Sequence, residues 1–290
     1  MRRRVFTVLF ALLFLVGFGV LAYPAISNQW NTYRQSRLIS KYKEVREETG
    51  KEDFTREWEK ARAYNDSITV NQPMSADVFS AGGQEDEDSE YWNVLNLNGD
   101  GMMGYISIPK INVELAIYHG TSDEVLQTGV GHIEGTKLPV GGEGNHTVLT
   151  AHRGLPSAKL FTDLDQMAEG DVFYLHILDE TLAYEVDQIL PMVDKDDTEA
   201  LTEALAIEEG KDYVTLFTCT PYGVNTHRLL VRGVRTEYNG EEERPETPAE
   251  TVSGLLQDYH MFFLLGGVAV TALAIAGIRA LARKKEKKRG

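Results

Sequence analysis

Three side chains with the chemistry of acyl transfer lie where apolar runs of this sequence begin or end. Cys219 is the only cysteine, so it can form no internal disulfide, and it closes the run Tyr213–Cys219. Arg228 opens the next apolar run nine residues later, and His152 comes just after the run His146–Thr150. An imidazole can accept the proton of a thiol or, once protonated, stabilise the thiolate, and an arginine can hold a carbonyl oxygen or an oxyanion. The set therefore indicates acyl transfer through a reactive cysteine.

The same residue types also have structural roles. Free cysteine is among the most buried residue types, so Cys219 is alternatively a small core side chain. Surface positions or hydrogen-bonded core positions are expected for the remaining histidines, which are His119, His132, His146, His176, His227 and His260. Surface charges in weak ion pairs are expected for Arg153, Arg232 and Arg235.

Short alternating runs predict strands that would present these side chains at one edge of a sheet. From residue 101 to 238 the pattern is β-like, with turns rich in Gly, Pro and Asp and seven or eight strands, which predicts one closed barrel or sandwich. The predicted strands are Gly104–Pro109, Val113–Tyr118, His146–Thr150, Val172–Leu178, Leu182–Val193, Tyr213–Cys219 and Arg228–Thr236. Thr198–Glu209 is predicted to be a short surface helix. If the last two strands form a hairpin, Cys219 and Arg228 lie at the same end of the sheet.

Other segments flank this catalytic region. Residues 23–65 have helical spacing interrupted at Gly50, which predicts two amphipathic helices that pack onto the next domain. Residues 66–100 form a loop region that contains the acidic run Glu85–Asp88. Residues 239–258 are an acidic linker rich in proline and glutamate.

The two ends of the chain have the composition of membrane segments. Residues 1–22 and 259–278 each contain an apolar stretch of about 18 residues, near the lower length for crossing a bilayer. Three arginines precede the first stretch and a basic tail, residues 279–290, follows the second. The positive-inside rule therefore places both termini in the cytoplasm and the middle of the chain outside the cell membrane. A cleaved signal peptide is the alternative for the first stretch, although Ala22-Tyr23-Pro24-Ala25 is a poor cleavage site.

Charge and motifs exclude several function classes. The chain carries a net charge of −15, and without the ten basic and one acidic residues at its two ends the exported part carries −24. Nucleic-acid binding needs clustered cations and is not expected. The sequence has no Rossmann glycine pattern, P-loop or metal-spaced Cys/His cluster, so neither a cofactor nor a metal is predicted. A calcium site at Asp194, Asp196 and Asp197 is an alternative to a hydrated acidic turn.

The segments around the three reactive residues resemble a known enzyme family. The run Thr215-Leu-Phe-Thr-Cys219-Thr-Pro-Tyr-Gly-Val-Asn-Thr-His-Arg228 is similar to the Thr-Leu-x-Thr-Cys motif and downstream arginine of sortases, the membrane-anchored cysteine transpeptidases of Gram-positive bacteria. The run Thr150–Asp165 resembles their histidine segment, and Gly131–Gly142 resembles the stretch before it. The resemblance runs in unbroken order from about Ile106 to Tyr238.

Further features resemble class C, the pilus-building sortases. These are the second membrane segment, the helical extension, and Thr-Pro-Tyr-Gly-x-Asn-Thr-His-Arg after the cysteine. That class has a lid loop with an Asp-Pro-aromatic motif over the active site. Asp77-Val78-Phe79 is the counterpart here, with Val78 where proline is expected, and valine fixes a loop less firmly than proline. The resemblance implies that Asp77 pairs with Arg228 and that Phe79 shields the thiol.

The resemblance implies a mainly β fold: a closed eight-stranded sortase-type barrel with short helices, an N-terminal helical extension and two membrane segments. It implies cleavage of an Leu-Pro-x-Thr-Gly-like sorting signal between Thr and Gly, a thioacyl intermediate on Cys219, and transfer to a lysine of an incoming pilin subunit. His152 would be the acid and base, Arg228 would hold the carbonyl or oxyanion, and Thr218 would line the substrate pocket or have a structural role. No cofactor is required.

Three alternatives remain at this point. The nearest is a sortase that attaches surface proteins to cell-wall peptidoglycan amines. The second is a cysteine hydrolase in which water resolves the acyl enzyme. The third is a barrel that binds a partner without catalysis.

Overall fold

The computed structural model describes residues 2–69 and 89–242 of this chain. Within them the fold is mainly β, with helices concentrated before the first strand. The strands are β1 (Met102–Ile108), β2 (Val113–His119), β3 (Val130–His132), β4 (Asn145–Thr150), β5 (Val172–Ile177), β6 (Glu180–Asp194), β7 (Asp212–Thr220) and β8 (His227–Thr236). The α-helices are α1 (Arg2–Glu48), α2 (Lys51–Ser67), α3 (Glu90–Asn93), α4 (Asp123–Thr128) and α5 (Thr198–Ala204). Short 3₁₀ turns span Pro109–Ile111 and Leu164–Gln166.

The eight strands close into a barrel in the order β1-β2-β3-β4-β7-β8-β6-β5. The pairs β2–β3 and β4–β7 are parallel, and the other pairs are antiparallel. This confirms the predicted closed eight-stranded barrel. The sequence pattern missed β3, because three residues are too few to show an alternation of apolar and polar side chains. The surface helix predicted over residues 198–209 is shorter, since α5 ends at Ala204.

Alternate residues of β7 and β8 face two different apolar clusters. Val214 and Leu216 belong to the main core inside the barrel, together with Leu229 and Val231. Residues of the other parity pack outside the barrel in a second cluster, which α5 covers; its buried members are Ile133, Val148, Leu201, Leu205, Phe217 and Leu230. The outer face of β4, β7 and β8 is therefore covered along part of its length.

Helix α1 runs without interruption from the apolar N-terminal stretch into the segment predicted as the helical extension. The boundary predicted after residue 22 falls within this helix, and Pro24 also lies inside it. A proline removes one backbone hydrogen bond and need not end a long helix. The second break is at the predicted place, because α1 ends at Glu48 and α2 begins at Lys51 after Gly50.

Both helices of the extension pack on the barrel through residues at helical spacing. Gln35, Ile39 and Tyr42 of α1 are buried, and the Tyr42 hydroxyl donates to the carbonyl oxygen of Met103 at 3.2 Å. The amide of Leu178 donates in turn to the Tyr42 hydroxyl at 2.9 Å. Burial raises the pKa of Tyr42 to about 12, so its hydroxyl stays protonated.

Helix α2 contributes directly to the main core. Its residues Phe54, Trp58 and Ala61 are buried there, and the Trp58 indole donates to Asp179 at 2.8 Å. Asn65 is also buried; its amide nitrogen donates to the carbonyl oxygen of Leu138 at 3.2 Å, and its amide oxygen accepts from the nitrogen of the same residue at 2.7 Å. Through these contacts α2 is part of the packed core of the barrel.

The chain's apolar ends are described only in part. Among residues 2–69 and 89–242, one helix is long and apolar enough to cross a membrane, and it begins near the N-terminus. The N-terminal residues 2–26 belong to a compact unit different from that of residues 27–242. The second predicted membrane segment, residues 259–278, lies outside the described residues.

The described parts of the loop region predicted over residues 66–100 contain helical residues at both ends of the gap. Helix α2 continues to Ser67, and α3 begins at Glu90. Tyr91 of α3 is buried, and its hydroxyl lies 2.9 Å from Nδ1 of His132. The end of this region is thus anchored on the barrel beside β3.

Candidate active site

Strands β7 and β8 form the hairpin that brings the thiol and the guanidinium together. They are antiparallel, and Cys219 and Arg228 are directly opposite each other in the register. Directly opposed residues of an antiparallel pair point to the same face of the sheet, with Cβ atoms about 4.5–5.5 Å apart. The connection between the strands contains Gly223 and Asn225 with φ of 72° and 63°, a region that glycine and asparagine tolerate best. The sequence placed both residues at this end of the sheet, and the register agrees.

The parallel pairing of β4 and β7 brings the imidazole to the same level. Each residue of β4 pairs with the residue 67 positions later, from Asn145 with Asp212 to Thr150 with Phe217. Beyond the strand end the Thr218 hydroxyl donates to the carbonyl oxygen of Ala151 at 2.7 Å, which keeps the same offset of 67. His152 therefore stands level with Cys219.

His152, Cys219 and Arg228 thus form one row across three neighbouring strand paths, with the thiol in the middle. Neighbouring strands are about 4.7–4.9 Å apart. By alternation along β7 and β8, Cys219 and Arg228 share the outer face of the barrel with Phe217 and Leu230. On this face Cys219 and Arg228 each lie two residues beyond the residues Phe217 and Leu230, which belong to the cluster that α5 covers.

The guanidinium and the thiol are both withdrawn from solvent. Arg228 is 2 % exposed and Cys219 is 6 % exposed. Nη1 of Arg228 donates to the carbonyl oxygens of Asn225 at 3.1 Å and His227 at 3.0 Å. Two fixed acceptors on one nitrogen set the plane of the guanidinium, so that the direction of its other donors is fixed as well.

Burial also tunes His152. The side chain is half-buried, and this desolvation lowers its pKa below the usual value of 6.5. The carboxylate of Asp123, at the start of α4, opposes the shift by favouring the imidazolium. The imidazole is therefore predominantly neutral at pH 7, the form that can accept a proton from a thiol.

A tyrosine of the β7–β8 connection packs on the segment that carries His152. Gly154 has a φ of +82°, and a Cβ at this position would lie 3.2 Å from the ring of Tyr222. Glycine thus gives both the backbone conformation and the room that the ring requires. The Tyr222 ring itself is 59 % exposed, so it forms an apolar rim beside the site.

Comparison with known proteins gives a consistent result. A family model described as a sortase domain matches residues 106–236. A sortase C of Streptococcus pneumoniae, solved by crystallography, is 44 % identical, with a TM-score of 0.60 over 70 % of this chain and 97 % of that chain. The chain belongs to the sortase family. Sortases are cysteine transpeptidases, and this sortase has a single cysteine, Cys219.

Other relatives support the same placement of this sortase. Sortase C1 of Streptococcus agalactiae is 44 % identical, with a TM-score of 0.62 over 70 % of this chain and all of that chain. Sortase C-1 of Actinomyces oris is 42 % identical, with a TM-score of 0.59 over 64 % of this chain and 99 % of that chain. Sortase A of Bacillus anthracis is 24 % identical over 232 residues, which are 80 % of this chain and 95 % of that protein. The resemblance to class C drawn from the sequence is confirmed by the three sortase C structures.

The remaining predicted site residues of the sortase have different outcomes. Thr218 is fully buried, and its hydroxyl bonds the carbonyl oxygen of Ala151, which supports the structural alternative for this residue. Asp77 and Phe79, predicted to form a lid, lie outside the described residues. Both remain predictions.

Three histidines outside the row are bonded core residues, as expected. His119, His132 and His146 are fully buried. The nitrogens of His146 face the carbonyl oxygen of Ala206 at 2.7 Å and the hydroxyl of Thr215 at 2.8 Å. Burial lowers the pKa of all three imidazoles, and that of His132 falls to about 3.

Three arginines were expected to be surface charges in ion pairs; the ion pairs are present, but the side chains are more buried than expected. The Arg153 side chain is only 9 % exposed, and its ion pair with Asp165 is 2.5 Å long. Arg232 forms two hydrogen bonds to Asp187, at 3.0 and 2.8 Å, and lies 4.1 Å from the centre of the Tyr213 ring. Arg235 is half-buried beside Asp212. The sequence around these three arginines does not show that carboxylates, and for Arg232 an aromatic ring, cover them in the fold.

The three aspartates weighed as a calcium site are occupied by other contacts. Asp197 caps α5 by accepting from the amide of Ala200 at 3.0 Å, and Asp194 accepts from the amide of Asp196. Lys195 pairs with Asp196 at 2.8 Å. Within residues 2–69 and 89–242, no group of three or more His, Cys, Asp or Glu side chains is placed to hold a metal ion.

Proposed function

We propose that this sortase is a membrane-anchored pilus-assembly enzyme that joins pilin subunits through a thioacyl intermediate on Cys219. The observation that carries the proposal is the single row formed by His152, just after β4, with Cys219 of β7 and Arg228 of β8. The solved relatives at 42–44 % identity are sortase C enzymes, and the structure of the Streptococcus pneumoniae relative concerns pilin substrate specificity. The apolar start of α1 supports anchoring.

In the first half-reaction, the Cys219 sulfur attacks the Thr carbonyl carbon of an Leu-Pro-x-Thr-Gly-like signal, and its proton passes to His152. The negative oxygen of the tetrahedral intermediate is stabilised by the Arg228 guanidinium, which is always charged. The C–N bond to glycine then breaks, the glycine amine takes the proton from His152, and a thioester remains on Cys219. Neutral His152 at pH 7 suits this sequence of proton transfers.

In the second half-reaction, a lysine amine of an incoming pilin attacks the thioester. His152 removes the proton from the attacking nitrogen, the C–S bond breaks, and the sulfur regains a proton. The product is an isopeptide bond, and no external energy source is needed because a thioester is exchanged for an amide. With the positive-inside orientation of α1, this chemistry takes place outside the cell membrane.

Mass spectrometry of the full-length chain in detergent tests the proposal. We expect a peptide with an Leu-Pro-x-Thr-Gly motif to give an acyl adduct on Cys219, and Cys219→Ala to give none. Purified pilin should then convert the adduct to a lysine isopeptide faster than a cell-wall amine or water does. Preference for the wall amine would support the cell-wall sortase instead. A product ratio that is unaffected by added acceptors would mean a hydrolase, and absence of any adduct with the folded wild-type chain would refute acyl transfer.

A further inference from the structure

The residue after His152 makes an unusual set of contacts. Nε of Arg153 donates to the carbonyl oxygen of Thr162 at 3.1 Å, Nη1 donates to the hydroxyl of Thr220 at 3.1 Å, and Nη2 donates to Asp165 at 2.5 Å. All three nitrogens of one guanidinium are therefore engaged, in three directions. Thr220 directly follows Cys219, so this side chain spans from the histidine segment to the cysteine segment.

The contact to Thr220 falls where the backbone pairing of β4 and β7 becomes weak. The amide of Ala151 donates to the carbonyl oxygen of Phe217 at 3.4 Å, which is long compared with the usual 2.7–3.2 Å. The hydroxyl of Thr218 bonds the carbonyl oxygen of Ala151, and two residues further along both segments Arg153 bonds the hydroxyl of Thr220. Side chains thus continue the offset of 67 residues after the strand has ended. The level between these two side-chain bonds is that of His152 and Cys219.

The other side of the histidine segment is fastened to a neighbouring loop. The amide of Phe161 donates to the carbonyl oxygen of His152 at 3.2 Å, and the amide of Gly154 donates to the hydroxyl of Thr162 at 3.2 Å. Arg153 joins this loop too, through its bond to the carbonyl oxygen of Thr162. The guanidinium therefore lies between β7 and the loop and connects both to the backbone of His152.

Arg153 does not lie on the same side of the sheet as the thiol, and its ion pair is partly exposed. Thr220 is the next residue of β7 after Cys219, so it faces the opposite side of the sheet from the thiol. The guanidinium bound there lies on the side of the sheet opposite to the Cys219 sulfur. The carboxylate of its partner Asp165 is half exposed, and an ion pair with one exposed partner contributes little to stability through charge alone. What these contacts use is therefore the planar guanidinium, whose donors point in fixed directions, rather than its charge.

We infer that Arg153 is a positioning residue of the transfer reaction, which holds the backbone of His152 in register with Cys219 by bonding Thr220 on one side and Thr162 and Asp165 on the other. The inference rests on the roles proposed for His152 and Cys219. A shift of about 1 Å between reacting groups can lower a rate about 10²-fold. The bond between Arg153 and Thr220 is one residue from His152 and from Cys219, so its loss can change the distance between the imidazole and the sulfur by that amount.

The decisive experiment is a comparison of Thr220→Val with Thr220→Ser in the full-length chain in detergent. Valine has the shape of threonine without the hydroxyl that accepts from Arg153, whereas serine keeps it. We expect Thr220→Val to lower kcat for peptide transfer about tenfold or more with KM within about twofold, and Thr220→Ser to stay within about twofold in both. Equal kcat for the valine and serine variants would overturn the inference.

Arg153→Met and the double variant with Thr220→Val test the same bond from the other side. We expect Arg153→Met to lower kcat about 10²-fold, and to add less to Thr220→Val than it does alone, because both changes remove one shared interaction. Additive losses would contradict the inference. Arg232→Met is the matched control: it removes another partly buried arginine–aspartate pair, that with Asp187, and should lower Tm while kcat stays within about twofold.

The rate at which iodoacetamide alkylates Cys219 reports on the arrangement of thiol and imidazole without any sorting-signal peptide. Loss of register with the imidazole should slow alkylation at pH 7 in Thr220→Val but not in Thr220→Ser, towards the rate of His152→Ala. If the wild-type chain forms no acyl adduct yet these alkylation rates differ as expected, the proposed function fails and the positioning role stands. If adducts form and the rates of the two Thr220 variants are equal, the positioning role fails and the proposed function stands.

Discussion

Replacement of Arg228 by lysine separates the charge of this residue from its shape. The arginine is 2 % exposed, and its Nη1 donates to two carbonyl oxygens of the β7–β8 connection, at 3.1 and 3.0 Å. A lysine keeps the positive charge but presents three donors from one flexible nitrogen. It cannot bond those carbonyl oxygens through one nitrogen and aim a second nitrogen at the substrate.

Two magnitudes follow from this geometry. The loss of one preorganised donor to an oxyanion costs about 10²–10³ in kcat, or about 2.7–4 kcal/mol of transition-state stabilisation. If the lysine bonds only one of the two carbonyl oxygens, one charged hydrogen bond is lost, which is about 1.5–3 kcal/mol of stability. At about 2–4 °C per kcal/mol for a domain of this size, we expect Tm to fall by about 3–12 °C.

Steady-state kinetics at 25 °C, with Tm measured on the same samples, keep the two effects apart. Arg232→Lys is a suitable control, because Arg232 lies on the same face of the same strand and also pairs within the protein, with Asp187. Its kcat should remain within about twofold of the wild type. If Arg228→Lys has near-normal kcat, or if the control loses as much activity, then the role assigned to the guanidinium is wrong.

Two further predictions concern the lid and the response to acid. Asp77→Ala or Phe79→Ala should speed the alkylation of Cys219 by a thiol reagent, and an unchanged rate would remove the lid hypothesis. Protein stability should fall as pH drops below 6.5, because the pKa of buried His132 is about 3 in the folded state, so that the unfolded chain takes up the proton first. At 1.36 kcal/mol per pH unit this histidine alone accounts for about 3 kcal/mol between pH 6.5 and 4, and His132→Gln should show a correspondingly shallower decline in urea titrations.

The sequence predicted the local parts of the site better than the distant ones. The β7–β8 hairpin follows from two alternating runs around Pro221 and Gly223, so the pairing of Cys219 with Arg228 was within reach of pattern alone. The level of His152 was not, because the pairing of β4 with β7 joins residues 67 positions apart and no alternation encodes such a register. Family resemblance supplied that link.

Burial of charged residues was the main error of the sequence reading. Arg153 looks like a surface charge because arginine usually is one, and only the folded loop shows that Thr162, Asp165 and Thr220 surround it.

The constant spacing between the two parallel strands also says where this chain can change its length. Residues added or removed in the loops between 154 and 211, outside β5, β6 and α5, leave β4 and β7 aligned, and doubling a flexible connection costs only about 0.6 kcal/mol in closure entropy. One residue inserted within 145–152 or 212–219 would instead rotate every later side chain of that strand to the opposite face. Such an insertion would point the imidazole or the sulfur towards the interior of the barrel. Natural length variation and engineered loop grafts should therefore be tolerated in the loops between the two strands and should not be tolerated within 145–152 or 212–219.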